Sequence, residues 1–107
     1  MASQMAERLH YPVGRAAALE ARGVAEADPV AGAALLAEAE EAWGALDRPL
    51  EATRARLLAG QLLLGTDDER AQELLEQAAV QSEELGVPHL AEKARAVAAG
   101  GERLRQG

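Results

Sequence analysis

Residues 49–60 of this chain read PLEATRARLLAG, and residues 88–99 read PHLAEKARAVAA. A shift of 39 residues aligns the two segments, with identical residues at Pro49 and Pro88 and at Arg56 and Arg95. Repetition at a fixed period of 20–50 residues is typical of proteins built from stacked structural units. We therefore expect stacked repeats, which usually present binding surfaces rather than reaction centres.

The repeat extends beyond these two segments. The residues before each segment match at the same shift: Leu35 with Leu74, Leu36 with Leu75, Ala39 with Ala78, and Leu46 with Leu85. A weaker third copy covers residues 12–23, and its last residue, Gly23, lies 37 residues before Gly60. The chain thus alternates between segments like residues 49–60 and the segments that precede them.

The spacing of apolar residues predicts five helices, over about residues 12–27, 29–46, 49–64, 68–85 and 88–99. Trp43 falls on the apolar stripe of the second helix, so we expect it in the core. The third helix is apolar around most of its circumference and should lie at the centre. Short connections make consecutive helices antiparallel neighbours. The predicted fold is all-α, with antiparallel helix hairpins stacked as a short solenoid.

A single domain is expected over residues 1–107, with a core of about residues 12–99 and flexible ends at residues 1–5 and 101–107. A break at Tyr11–Pro12 is predicted to separate a short helical piece from the first helix.

Local signals also predict how the helices end. Gly65 and Gly86 should each end a helix, and Thr66 with Glu69 has the spacing of a capping box for the fourth helix. Gly100–Gly101 should interrupt the fifth helix.

The charge balance limits the partners. The net charge is −7, so direct binding to nucleic acid or to an anionic membrane surface is not expected. No run of residues is long and apolar enough for a membrane span, and the N-terminus lacks the pattern of a secretory signal. The chain contains no cysteine, which fits a cytoplasmic location.

Small residues lie where paired helices should touch. Ala59 and Gly60 belong to the third helix, and Ala71 and Ala78 to the fourth. This arrangement resembles the tetratricopeptide repeat, and the resemblance implies a helical solenoid that binds proteins. The period of 37–39 residues exceeds the family's usual 34, and leucines replace its aromatic residues, so the chain resembles a divergent member.

A narrower resemblance covers roughly residues 12–99. Residues 48–52, 57–60 and 84–92 are similar to the helical-repeat regions of large bacterial LuxR-type, ATP-dependent transcription activators and related regulators. This resemblance implies a fragment of a cytosolic bacterial protein of transcription regulation or signal transduction. Its partners would be proteins, peptides or neighbouring domains of the parent chain.

Arginines are the strongest candidates for binding residues. By repeat register Arg56 and Arg95 are equivalent, and Thr53 and Glu92 lie one turn before them on the face expected to line a groove. Arg15 and Arg22 lie on the first helix. Such arginines can grip a carboxylate or phosphate. The alternative is that they pair with nearby acidic residues, notably Glu51 and Glu92.

No catalytic set, metal site or cofactor is expected. The two histidines, His10 and His89, lack the spacing of metal ligands, and the acidic clusters suit polar helix faces and helix starts. We therefore predict a non-catalytic interaction scaffold. The alternatives are a structural spacer that self-associates, or a groove for a small anionic effector.

Overall fold

The computed structural model describes the backbone of residues 2–106 and the side chains of residues 12–101. Five α-helices follow one another: α1 (Ala2–Ala25), α2 (Pro29–Ala45), α3 (Pro49–Leu63), α4 (Asp68–Glu84) and α5 (Pro88–Gln106). The described backbone contains no β-strand. The predicted bounds of the three middle helices are correct to within one residue, and the all-α prediction is confirmed.

Polar side chains and glycines define the helix ends. The carboxylate of Asp28 accepts a hydrogen bond from the backbone N–H of Val30 at 3.2 Å and caps α2, with Pro29 in the first helical position. Gly65 and Gly86 adopt left-handed backbone angles, with φ of 86° and 77°. Both glycines follow a helix, as the sequence predicted.

The predicted capping box of α4 is wrong by one residue. Asp67, rather than Thr66, occupies the cap position, and its carboxylate accepts a hydrogen bond from the backbone N–H of Arg70 at 3.2 Å. The adjacent Asp68 accepts a hydrogen bond from the backbone N–H of Gly65 at 2.7 Å. Two aspartates thus accept hydrogen bonds from two backbone N–H groups of this turn, since a carboxylate is a strong acceptor at a helix start.

Two predicted breaks are also wrong. α1 runs through Tyr11–Pro12, with Pro12 inside the helix. The proline φ is compatible with a helix, so the chain continues at the cost of one backbone hydrogen bond. α5 likewise runs through Gly100–Gly101. Gly101 is buried, and a Cβ built there would lie 2.5 Å from Leu64 Cδ2, so close packing rather than a turn accounts for this glycine.

Among the side chains of residues 12–101, the helices share three small cores rather than one. The clusters are Ala16, Leu19, Ala39, Trp43 and Ala55; Leu36, Ala59, Leu63, Ala71 and Leu74; and Leu57, Leu75, Ala78, Ala79, Ala91 and Ala94. Each cluster joins three consecutive helices, and α3 contributes to all of them, which confirms its predicted central place. The radius of gyration is 15.1 Å, compared with about 13 Å for a compact domain of this length. Both observations describe a stack of hairpins.

The same close contact recurs in both hairpins. A Cβ at Gly23 of α1 would lie 2.8 Å from Leu36 Cγ of α2, and a Cβ at Gly60 of α3 would lie 2.8 Å from Leu75 Cγ of α4. These pairs are equivalent in the sequence repeat. Glycine lets the two backbones approach closely, and a leucine fills the space beside it. The repeat in the sequence therefore corresponds to a repeated glycine–leucine contact between paired helices.

Candidate functional site

A cleft runs between α2 and α4 and has α3 as its floor; we call it the central cleft. One cavity of about 300 Å³ lies at its end nearest Gly44 and Gln81. A second cavity of about 290 Å³ lies at its other end, nearest Ala33 and Leu74. Glu40 of α2 lines both cavities, so they meet at this residue.

The floor and the α2 wall of the central cleft consist largely of small side chains. Ala33, Ala37 and Gly44 lie on one face of α2 together with Glu40, while Ala52 and Ala59 come from α3. Spacing of three and four residues places the α2 residues in a single row along the helix. Small side chains leave the backbone accessible, so another chain can approach it closely.

The predicted groove residue Arg56 lies beside this cleft. Its guanidinium pairs with the carboxylate of Glu40, and the two side chains retain 23% and 22% of their exposure. The Nε atom of Arg56 is buried and has no hydrogen-bond partner among the described residues. A half-buried ion pair with one unsatisfied donor therefore crosses from α3 to α2 at the middle of the cleft.

Arg95 keeps its register but has a more exposed environment. It pairs with Glu83 of α4, and the hydrogen bond to Glu83 raises the pKa of the Arg95 guanidinium. Both arginines thus form ion pairs, as in the alternative stated above, but each pairs with a glutamate of the preceding helix. The partners are different from those predicted, because Glu51 pairs with Arg48 at 3.9 Å instead.

Thr53 and Glu92 occupy contrasting environments. Thr53 is 3% exposed, and its hydroxyl lies 2.8 Å from the carbonyl oxygen of Pro49 and 3.4 Å from Oε1 of Gln81. Although buried, Thr53 is one of the residues that line one end of the central cleft. Glu92 is exposed on α5. The structure therefore does not bring these two residues together.

Arg15 and Arg22 line a separate cavity of about 590 Å³ at the outer side of α1 and α2, which we call the edge cavity. Ala18 and Leu19 of α1 and Leu35 of α2 supply apolar lining, and Glu38 adds a carboxylate. Neither arginine belongs to the central cleft. The six residues proposed from the sequence thus lie in several places rather than in one groove.

The remaining candidates have simpler positions. Trp43 is 5% exposed in the first core cluster, which confirms its predicted packing role. His89 is exposed near the start of α5. The side chains of His10 and Tyr11 lie outside the described residues. Within residues 12–101, no group of three or more His, Cys, Asp or Glu side chains could hold a metal ion.

The sequence analysis missed Glu40 and Gly44 as cleft residues. A signal for them existed, because Ala33, Ala37, Glu40 and Gly44 share one face of the second helix. The face contains a single charged residue in a row of small ones. Such a row indicates a surface against which another backbone can lie.

Comparison of the chain with models of protein families, with curated proteins and with solved structures found no match. Among the described residues, every helix is too short or too polar to cross a membrane.

Proposed function

We propose that this chain is a non-catalytic protein-interaction module whose central cleft holds a segment of another protein. The observation that carries the proposal is the pair of cavities, of about 300 and 290 Å³, that meet at Glu40 between α2 and α4. Stacked helical repeats usually work through extended surfaces of this kind.

The chemistry of the cleft defines the partner segment. Its floor and its α2 wall are mostly small and apolar, while the α4 wall is mostly polar, with Glu84 at one end and Asp67 at the other. Arg56 is already paired with Glu40, and Arg70 is paired with Glu73 at 3.0 Å. The chain as a whole has a net charge of −7. We therefore expect a segment with small apolar side chains flanked by lysine or arginine.

The setting of the module rests on the sequence resemblance. Similarity to tetratricopeptide repeats and to the helical-repeat regions of LuxR-type activators supports a place in a cytosolic bacterial regulator of transcription or signalling. The recurring Gly23–Leu36 and Gly60–Leu75 contacts support the repeat itself. The neighbouring domains of such a parent chain would be among the partners.

A peptide selection tests the proposal directly. The complete chain is used to select binders from a random-peptide display library, and enriched peptides are measured by fluorescence anisotropy. We expect basic, apolar sequences to be enriched. Gly44→Gln should weaken their binding at least tenfold, because the new side chain extends from the wall into the cleft.

Gly14→Gln is the matched control. Apart from its chain neighbours and the backbone of its own helix, a Cβ at either glycine meets no heavy atom within 4 Å, so both variants should fold. Gly14 lines the edge cavity instead of the central cleft. Equal binding of the selected peptides to both variants would contradict the proposed site, as would a selection without enriched sequences.

A further inference from the structure

Arg15 and Arg22 differ from the other described arginines in their pairing. Five arginines form ion pairs: Arg48, Arg54, Arg56, Arg70 and Arg95. Arg15 and Arg22 form none with any side chain in residues 12–101, and both line the edge cavity. In a chain with a net charge of −7, two cations on one surface that have no carboxylate partner among the described side chains are unexpected.

Arg15 and Arg22 also differ from the residues at the equivalent positions of the other repeats. A shift of 37 residues places Arg15, Ala18 and Arg22 at the positions of Ala52, Ala55 and Ala59 in α3. There the alanines pack on α2, and Ala55 and Ala59 are 0% and 4% exposed. The corresponding residues of α5 are Ala91, Ala94 and Ala98, which lie in or against the cluster shared with α4.

This face of a first helix is therefore one against which another helix packs. On α3 the packed helix is α2, and on α5 it is α4. On α1 the same face carries two exposed arginines and borders a cavity of about 590 Å³. The long arginine side chains hold an incoming helix further away than alanine does, and they offer it two positive charges.

We propose that the edge cavity binds an acidic amphipathic helix of a partner protein. Residues seven apart lie on the same face of a helix, separated by about 10.5 Å along its axis. A partner helix with carboxylates seven residues apart matches Arg15 and Arg22. Apolar residues between its carboxylates cover Ala18, Leu19 and Leu35. This surface is independent of the central cleft.

Glu38 adds a constraint on the partner. It lines the same cavity from α2, so its carboxylate repels an acidic residue placed opposite it. A neutral or basic residue of the partner belongs at that position. The edge cavity thus selects a pattern of charges rather than negative charge in general.

Designed peptides test the proposal with the complete chain. The probe is a helix of about 18 residues, long enough to form in isolation. It carries glutamates seven apart with leucine and alanine between them on that face. A second peptide has the same composition, but one glutamate is moved to the opposite face. Fluorescence anisotropy should show at least tenfold tighter binding of the first peptide.

Variants of the chain test the role of the arginines. Arg15→Glu/Arg22→Glu should reduce binding of the first peptide at least tenfold. Arg48→Glu/Arg70→Glu, which makes the same charge change at two exposed arginines, should leave most of it. A peptide with lysines in place of the two glutamates should regain binding to Arg15→Glu/Arg22→Glu. Circular dichroism melting checks that both variants fold, and Arg15→Gln/Arg22→Gln provides a neutral version.

Several results would overturn the proposal. Equal binding of the two peptides, or equal loss in the two charge-reversed variants, would indicate non-specific attraction. Displacement of the peptide by an equal concentration of inorganic phosphate would assign a small-anion site. Dimers of the chain alone that disappear in Arg15→Glu/Arg22→Glu would show that a second copy occupies the surface. Gly44→Gln should leave this binding unchanged, so the two proposed sites can fail separately.

Discussion

The α1–α2 hairpin and the α3–α4 hairpin share a glycine–leucine contact where their two helices cross, which we call the glycine crossing. They differ in the residues that lie further along the helices. In both, a glycine on the first helix faces a leucine on the second, Gly23 with Leu36 and Gly60 with Leu75. The largest difference lies two turns further on, where Trp43 of α2 and Ser82 of α4 occupy the same repeat position. Both residues are buried, at 5% and 0% exposure.

The two repeat units therefore share the glycine crossing but have different side chains at the position of Trp43 and Ser82. The glycine crossing sets the distance between the helices of a hairpin. Two turns further along, one unit has a buried indole, while the other has a buried serine whose hydroxyl donates a hydrogen bond to the carbonyl oxygen of Ala78 at 2.7 Å. The indole of Trp43 belongs to the cluster that joins α1, α2 and α3.

The largest expected effect comes from emptying the Trp43 position. Trp43→Ala should lower the free energy of unfolding by about 3–5 kcal/mol, since it removes an indole from a packed cluster. Ser82→Ala, at the equivalent position, should cost about 1 kcal/mol or less, because only one hydroxyl is lost. Chemical denaturation monitored by circular dichroism measures both. Similar losses in the two variants would contradict the assigned difference in packing.

The second effect concerns the glycine crossings. Gly23→Ala and Gly60→Ala should each cost about 1–3 kcal/mol, the usual range for overpacking a tight contact. Gly23→Ala should be the worse, because its Cβ would also lie 2.9 Å from the carbonyl oxygen of Gly32, a backbone atom that cannot easily move. At Gly60 the nearest backbone atom, the carbonyl oxygen of Ala71, is 3.3 Å away.

Two other helical glycines provide the control for this comparison. Gly14→Ala and Gly44→Ala add a Cβ that has no heavy atom within 4 Å other than its chain neighbours and the backbone of its own helix. Each should stabilise the chain by about 0.5–1 kcal/mol through helix propensity alone. The same denaturation measurements show whether the change in unfolding free energy of all four variants agrees with the distances from the added Cβ to its neighbours. A stabilising Gly23→Ala would mean that the crossing is looser than described.

Local and periodic features could be read from the sequence. The apolar stripe of α2 placed Trp43 in the core, and Asp28–Pro29 and Gly86 fixed helix ends through capping and left-handed geometry that depend on a few adjacent residues. The apolar circumference of α3 also identified it as the central helix. In each case the physical cause lies within one or two turns of chain.

Features that depend on distant neighbours could not be read in this way. Gly101 resembles a helix stop in isolation, but it is buried against Leu64 and Gln72, and the helix continues through it. The partner of Arg56 is Glu40, sixteen residues away on another helix, rather than the closer Glu51. Repeat register aligned Arg56 with Arg95 but gave no information on which carboxylates the folded chain brings to them.

The smallest expected effect compares these two equivalent ion pairs. The side chains of Arg56 and Glu40 are 23% and 22% exposed, whereas those of Arg95 and Glu83 are 49% and 52% exposed. A double-mutant cycle with Arg56→Gln and Glu40→Gln should give a coupling of about 1 kcal/mol. The corresponding cycle at Arg95 and Glu83 should give a smaller coupling that disappears in about 1 M salt, where the screening length is about 3 Å.

Glu40→Gln alone should also destabilise the chain more than Glu83→Gln, because it leaves a half-buried guanidinium without its only carboxylate partner among the described residues. Equal couplings with equal salt dependence would show that burial does not distinguish the two pairs, and would remove the ion pair as a defining feature of the central cleft.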